Sequence, residues 1–244
     1  LYSIKKRNPQ IKIFMEIPTF PYQFEFNYFS LIKRLELKSD LFSANYFKKY
    51  IDKIVTFSSK ELIYGIPTIR TDNGIDSDKF GIIDPPAPFN GKEIHLLGLA
   101  NMQKWHGLDR VIEGLSTYNK IPKNIKVYFH LVGRGDELQN LIDLVEKHKL
   151  SEYVLVHGFL SGKALETIFS TCHVGIGSLG MHRINAAKGE TSALKSREFA
   201  SRGMPFVIGY QDRGFPEKYP FIFDVMADET PIDIDSIITF YKIT

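Results

Sequence analysis

From Gly91 onward, short apolar runs alternate with segments whose apolar positions recur every three or four residues. The runs cover 94–99, 125–132, 153–157, 174–178, 205–208 and 221–225. Continuous apolarity over so few residues predicts strands buried on both faces. The helical spacing between them predicts helices over 108–115, 136–148, 163–170 and 193–201. Strands alternating with helices form a parallel sheet covered on both sides, and right-handed crossovers make it doubly wound. Ligands of such sheets bind outside the carboxyl ends of the strands. The residues following each strand are therefore the ones to examine.

The first third reads differently. Residues 11–17 predict a partly buried strand, broken by Pro18 and Pro21. Apolar residues then recur at helical spacing from Phe24 to Tyr50, with Ser39-Asp40 offering a cap between two helices. Residues 53–57 form a second short strand, and Asn73-Gly74-Ile75-Asp76 a turn. Pro85-Pro86-Ala87-Pro88 is stiff and poor in donors, so 73–91 reads as an interdomain connection. The expected division is a partial first domain over 1–75, a second domain over 76–228, and a helix in 229–244 that returns to the first domain. Leu1 is not an initiator methionine, and no complete β-α-β unit precedes the first strand. An N-terminal portion is expected to be missing.

Composition adds exclusions. At 244 residues, 43% hydrophobic and 24% charged, the chain can bury a sizeable core. No apolar run is long enough to span a membrane, and the start lacks a secretory signal. One cysteine, Cys172, rules out an internal disulfide and a cysteine-rich zinc site, and fits a reducing, cytoplasmic compartment. Residues 1–60 carry 11 Lys and Arg against 5 Asp and Glu, leaving 20 against 23 in the remainder. That basic quarter is either a solvated face or a surface for an anionic partner such as the inner face of a membrane.

Three segments could carry chemistry. Gly133-Arg134-Gly135 follows a strand, but Leu138 stands where a dinucleotide fingerprint needs its third glycine. A tight strand-to-helix turn is the better reading, and nicotinamide cofactors are disfavoured. Lys104 follows the strand ending at Leu99, on the ligand edge, where a point charge suits a phosphate. Trp105 beside it either lines a ligand cleft or plugs the domain junction. In 189–198, Thr191 or Ser192 can cap a helix whose N-terminus favours anions. Ser192 and Ala193 are small enough for close approach. Glu190 and Glu198 lie at most about 12 Å apart along a helix axis. They cannot meet at one atom, but could grip opposite ends of a nucleotide-sugar.

The block from Gly189 to Pro205, with its Glu-x7-Glu pair and Leu194-Lys195, Arg197-Glu198-Phe199-Ala200 and Gly203-Met204-Pro205, resembles the donor site of the GT4 retaining glycosyltransferases of the GT-B fold. Residues 52–58 followed by Asn73-Gly74-Ile75-Asp76, then Gly98, Lys104 and Gly107-Leu108-Asp109, then Leu131 to Gly135 and Val156-His157-Gly158, agree in order and spacing. The resemblance covers roughly residues 50–210. It implies a GT-B type α/β fold: a doubly wound, parallel-sheet, nucleotide-binding C-terminal domain, plus part of a second Rossmann-like N-terminal domain on the acceptor side. It further implies that Lys104 contacts the donor diphosphate, Glu190 the donor sugar and Glu198 the ribose. Phosphate would rest on amides near Ser192, Ala193 and Leu194, and Arg134, His157 and Gly158 would border the base. No cofactor or metal is expected.

The chain departs from that pattern in two places. Leu99 stands where the family often has an arginine, and Trp105-His106 are extra. Arg183 is either the replacement phosphate contact or a solvent-exposed loop residue. His182 is equally ambiguous. The glycine-rich loop and histidine of the acceptor domain are not recognisable. The expected function is sugar transfer from a nucleotide-diphosphate-sugar to a saccharide or lipid-linked acceptor in cell-surface polysaccharide synthesis. The alternatives are a nucleotide-sugar binding module without transfer, and a GT-B nucleotide-sugar epimerase. Nucleic acid is not an expected partner, since no aromatic-basic recognition motif occurs.

Overall fold

The computed structural model describes residues 1–18, 20, 35, 38–39, 42–44, 46–76, 78, 89–184, 191–212, 214–216 and 218–244. The proline run and Glu190 lie outside these residues, as does most of the segment expected to be helical between 24 and 50. The chain divides into two compact units. The smaller holds the described residues up to Asn73 with Thr191, Ser192, Asp212 and Gly214; the larger holds the rest.

In the smaller unit, α1 (Tyr2–Arg7) precedes β1 (Phe14–Glu16), β2 (Lys53–Thr56), β3 (Leu62–Ile63) and β4 (Ile66–Arg70). The sheet order is β1-β2-β4-β3, parallel except for the β3–β4 hairpin. That hairpin was not expected from the sequence. Its two-residue turn holds both Tyr64 (φ 54°) and Gly65 (φ 73°) in the left-handed region, which a primed hairpin turn requires. Ile17, Ile51, Ile54, Ile63 and Ile66 form the core. Part of the basic quarter is internally neutralised. Asp52 takes Lys5 at 2.8 Å, Lys12 at 3.3 Å and the Ile13 amide at 2.8 Å. Lys5, then that amide, hold its carboxyl well below the usual range.

In the larger unit the order is β5 (Glu93–Asn101), α2 (Leu108–Tyr118), β6 (Lys126–Arg134), α3 (Leu138–Lys147), β7 (Val154–Gly158), α4 (Gly162–Thr171), β8 (Val174–Ile176), α5 (Leu194–Ser201), β9 (Phe206–Ile208), β10 (Ile222–Asp224) and α6 (Ile234–Ile243). The expected strands and helices are present. The six strands are parallel, in the order β10-β9-β8-β5-β6-β7. Successive residues of a strand point to opposite faces. Leu96, Phe129, Leu131 and Val207 accordingly join α2 and α6 in one core. Their neighbours Leu97, Val132 and Phe206 join Phe169 of α4 and Phe199 of α5 in the other. Burial on both faces explains the unbroken apolar runs.

The C-terminal helix α6, which the sequence allowed to return to the first domain, buries Ile234, Ile237, Ile238 and Phe240 in the larger unit's core. Buried Arg110 of α2 ties the segment before it. Its guanidinium donates to the Thr230 carbonyl at 2.8 Å and pairs with Asp228 at 3.1 Å. Cys172 is fully buried, and burial pushes its thiol up to about 12. No helix among the described residues is long and apolar enough to cross a membrane.

Candidate functional site

Strands β5, β6 and β7 run outward in one direction from the sheet centre, and β8, β9 and β10 in the other. The strand order reverses between β5 and β8. A crevice opens at the carboxyl ends of the two strands flanking such a reversal. The turn carrying Lys104 follows β5, and the segment leading into α5 follows β8.

A 3-10 turn spans Lys104–His106. The His106 ring closes it: Nδ1 accepts the Gln103 amide at 3.0 Å, leaving the ring proton on Nε2. Burial, then the nearby charge of Lys195, push His106 down to about 3. The ring is thus neutral and structural. The turn is tied to the segment after β8, where the Leu179 and Gly180 amides donate to the His106 and Trp105 carbonyls at 2.9 and 3.1 Å. Arg183 completes the tie. Its guanidinium donates to the Lys104 carbonyl at 2.9 Å and grips Asp109 bidentately at 2.9 and 2.7 Å. It also bonds Glu229 through Nε at 2.9 Å and through Nη2. Glu229, then Asp109, hold Arg183 above the ordinary arginine range, and Arg183 pulls Glu229 down to about 2. Its partners here are carboxylates and a carbonyl rather than open solvent. His182 joins the cluster, with Nε2 at 2.7 Å from Glu229. Lys104 itself is exposed.

Neither Thr191 nor Ser192 caps α5, contrary to expectation. The cap position is Ala193, with no side-chain bond to the helix amides. The Ser192 hydroxyl instead accepts the Asn73 amide at 2.9 Å within the smaller unit, while the Asn73 side-chain amide donates to the Ser192 carbonyl at 2.5 Å. A helix cannot satisfy its first amides internally, and among the described residues no side-chain cap closes the start of α5. Leu194 is exposed there. Glu198 lies one helical turn further in, its side chain 19% exposed and 3.3 Å from Arg202. Burial raises its carboxyl, partly offset by Arg202. Arg202 is itself clamped by both oxygens of Glu166, at 2.5 and 2.7 Å, over the Phe169 ring.

On the other side of the crevice, a cleft of about 450 Å³ is lined by Leu99, Ala100, Asn101, Gly133, Arg134 and Phe159, among others. Gly133 and Gly135 shape it sterically. A Cβ on Gly133 would fall 1.8 Å from the Ala100 carbonyl oxygen, and one on Gly135 would fall 2.3 Å from that of Met102. The glycines allow β5 and β6 to close together, which is the tight-turn reading. Arg134 lies over the Phe159 ring at 5.4 Å. Trp105, half-buried against His106, is not among the lining residues.

The resemblance implies that Arg134, His157 and Gly158 border the base. Arg134 lines this cleft, as do Phe159 and Leu160, the two residues after Gly158. The His157 ring turns instead into a row across the sheet. Its Nε2 lies 2.9 Å from His130 Nδ1, and His130 Nε2 lies 2.8 Å from His95 Nδ1. The His95 amide donates to His173 Nδ1 at 3.0 Å. Burial lowers all four rings, with His130 and His173 reaching about 4. Neutral rings satisfy the row with one proton in each gap. Sequence reasoning missed this row, since its members are separated by 16 to 35 residues and no local pattern joins them. It also missed Lys195, whose side-chain nitrogen is buried without a hydrogen-bond partner among the described residues. Among those residues no group of His, Cys, Asp or Glu is arranged to hold a metal.

The profile of the glycosyl transferases group 1 family matches residues 80–218. No curated protein matches the chain by sequence. Solved structures with a similar fold include HepE of Anabaena in complex with UDP, at 15% identity and a TM-score of 0.66, covering 98% of this chain and 64% of that one. A sucrose-phosphate synthase of Thermosynechococcus elongatus matches at 12% identity and a TM-score of 0.66, over 99% of this chain and 62% of that one. A glycosyltransferase of Rickettsia africae matches at 15% identity and a TM-score of 0.58, over 82% and 57%. The chain thus spans less than two thirds of the length of each. The parallel sheets and these likenesses agree on a GT-B, Rossmann-like fold. With the profile matching more than half of its residues, the chain belongs to the glycosyl transferases group 1 family.

Proposed function

We propose that this chain carries the donor site of a retaining, GT4-type glycosyltransferase. It moves a sugar from a nucleotide-diphosphate-sugar to a saccharide or lipid-linked acceptor in cell-surface polysaccharide synthesis. The observation that supports this best is the division of the sheet edge. A cleft of about 450 Å³ suited to a base lies on one side of the strand-order reversal. Lys104 and the uncapped start of α5 lie on the carboxyl edge at the reversal itself. HepE, a relative of the same fold, was crystallised with UDP.

In this reading the base rests between Arg134, Phe159 and the β5 end. Glu198, oriented by Arg202, accepts hydrogen bonds from the ribose. Lys104 and the α5 amides hold the diphosphate. Transfer breaks the bond between the sugar's anomeric carbon and the diphosphate oxygen, and forms one to the acceptor oxygen on the same face. The acceptor hydroxyl's proton passes to the departing diphosphate oxygen, which leaves as the nucleoside diphosphate. Catalysis then consists mainly of stabilising the departing diphosphate with fixed charge and dipoles. Glu190 faces the sugar in this scheme. No metal is required, so a chelator should leave activity unchanged. Arg183 acts indirectly, by fixing the Lys104 turn.

Calorimetry with UDP, GDP, ADP and CMP tests the donor site. One diphosphate should bind, Lys104→Ala should weaken it about 10-fold or more, and Glu198→Lys should abolish it. Binding that ignores both variants would refute the placement. Anomeric analysis of the product then tests retention. Release of epimerised nucleotide-sugar without acceptor would favour the epimerase reading instead.

A further inference from the structure

The larger unit buries several cations, and it matches Arg110, Arg183 and Arg202 to carboxylates. Arg197 is held over the Phe215 ring, whereas Lys195 differs from all four. Its Nζ is buried and has no hydrogen-bond partner among the described residues. Burying an amine without a partner destabilises a fold, so an unmatched lysine is a position where packing alone would favour an apolar residue. Its location suggests what it serves. Lys195 is the second residue of α5. It therefore stands in the first turn, beside the amides at the helix start. Its charge is also felt by His106, within the turn that presents Lys104. An unpartnered amine, an uncapped helix start and the Lys104 turn therefore converge at the reversal between β5 and β8.

We propose that Lys195 binds a phosphate of the donor directly through Nζ and supplies the second positive charge of the site beside Lys104. This rests on the donor-site reading above. A nucleoside diphosphate carries more than one negative charge, which one exposed lysine does not balance. Arg183 is committed to Asp109 and Glu229. Among the described residues, Lys195 is a buried cation of this unit whose amine has no hydrogen-bond partner.

A consequence concerns protons. Burial holds the Lys195 amine down to about 7. A phosphate anion beside it favours the ammonium form. Binding above neutral pH therefore draws a proton from solvent onto Nζ, and release of the diphosphate returns it. Affinity then falls as pH rises above about 7, by at most about tenfold per pH unit.

The test uses the full chain and the Lys195→Met variant, whose side chain is apolar and similar in length. Binding of UDP, GDP, ADP and inorganic pyrophosphate is measured by calorimetry at pH 8 in two buffers of different ionisation enthalpy. The expected result is a loss of about 10- to 100-fold in affinity in the variant. Uptake of up to one proton should accompany binding to the wild type and vanish in the variant. The variant should also melt at the same or a higher temperature. If a nucleoside diphosphate binds both proteins equally, the inference falls and the donor-site reading stands. If pyrophosphate alone binds, and depends on Lys195, the anion site stands and the donor reading falls. If nothing binds the wild type, both fall. A variant that melts well below the wild type would show a structural partner for Lys195 and overturn the inference.

Discussion

The two flanks of the crevice are built on different principles. Around the cleft, β5 and β6 close backbone to backbone, through glycines at 133 and 135 that leave no room for a side chain. Around the Lys104 turn and α5, the chain is held by charge: Arg183 with Asp109 and Glu229 on one side, and an unmatched Lys195 on the other. A flank made by close approach recognises shape and tolerates changes of ionic strength. A flank made by charges recognises an anion and responds to salt and pH. A nucleotide-sugar, with a flat base at one end and a diphosphate in the middle, calls for both.

The largest effect should come from breaking the steric flank. Gly133 has φ +131°, and an added Cβ would overlap the Ala100 carbonyl oxygen. Gly133→Ala should destabilise the larger unit by about 3 kcal/mol or more, read by urea denaturation. A loss below 1 kcal/mol, or none, would mean that β5 and β6 can part without penalty.

Next comes acid, which acts under the cleft. The rings of His95, His130, His157 and His173 sit below their unfolded values, facing Tyr128, Tyr241 and the Glu93 carboxylate. Unfolded chains then bind more protons. The row's stabilisation is complete above about pH 6.5 and is lost as pH falls toward 4. For His130, at about 4, the loss by pH 4.5 is about 2.5 kcal/mol. His130→Gln should flatten the acid limb of a stability-versus-pH curve, whereas a parallel curve would show that the row does not titrate with unfolding.

A smaller change is expected on the charged flank. Arg183→Ala removes a cation from two carboxylates that are partly or largely exposed. It should lower stability by only about 1–2 kcal/mol. Its signature is salt dependence: the gap from wild type should narrow at high ionic strength, and nucleotide affinity should fall because the Lys104 turn loosens. A gap that ignores salt would locate the role of Arg183 in packing.

The sequence displayed one flank better than the other. Strands of the larger unit were readable because burial on both faces leaves no polar interruption. The place of Lys104 just beyond β5 was readable because it depends only on local order along the chain. The primed turn at Tyr64-Gly65 was not, since tyrosine gives no local sign of a left-handed backbone. Ser192 fitted a cap by composition, yet its hydroxyl found Asn73, more than a hundred residues away in the chain. The partners of Arg183 stand at 109 and 229, and the histidine row is assembled from four separate strands and their flanks. Such contacts are set by topology, and only the folded sheet brings them together.

The lone thiol at Cys172 has a practical consequence. Deep in one face of the sheet and with its proton tightly held, it cannot react with a labelling reagent until the strands around it come apart. The chain thus carries its own stopwatch. The rate at which that sulfur becomes labelled times the opening of the larger unit, and a tightly bound diphosphate should slow it.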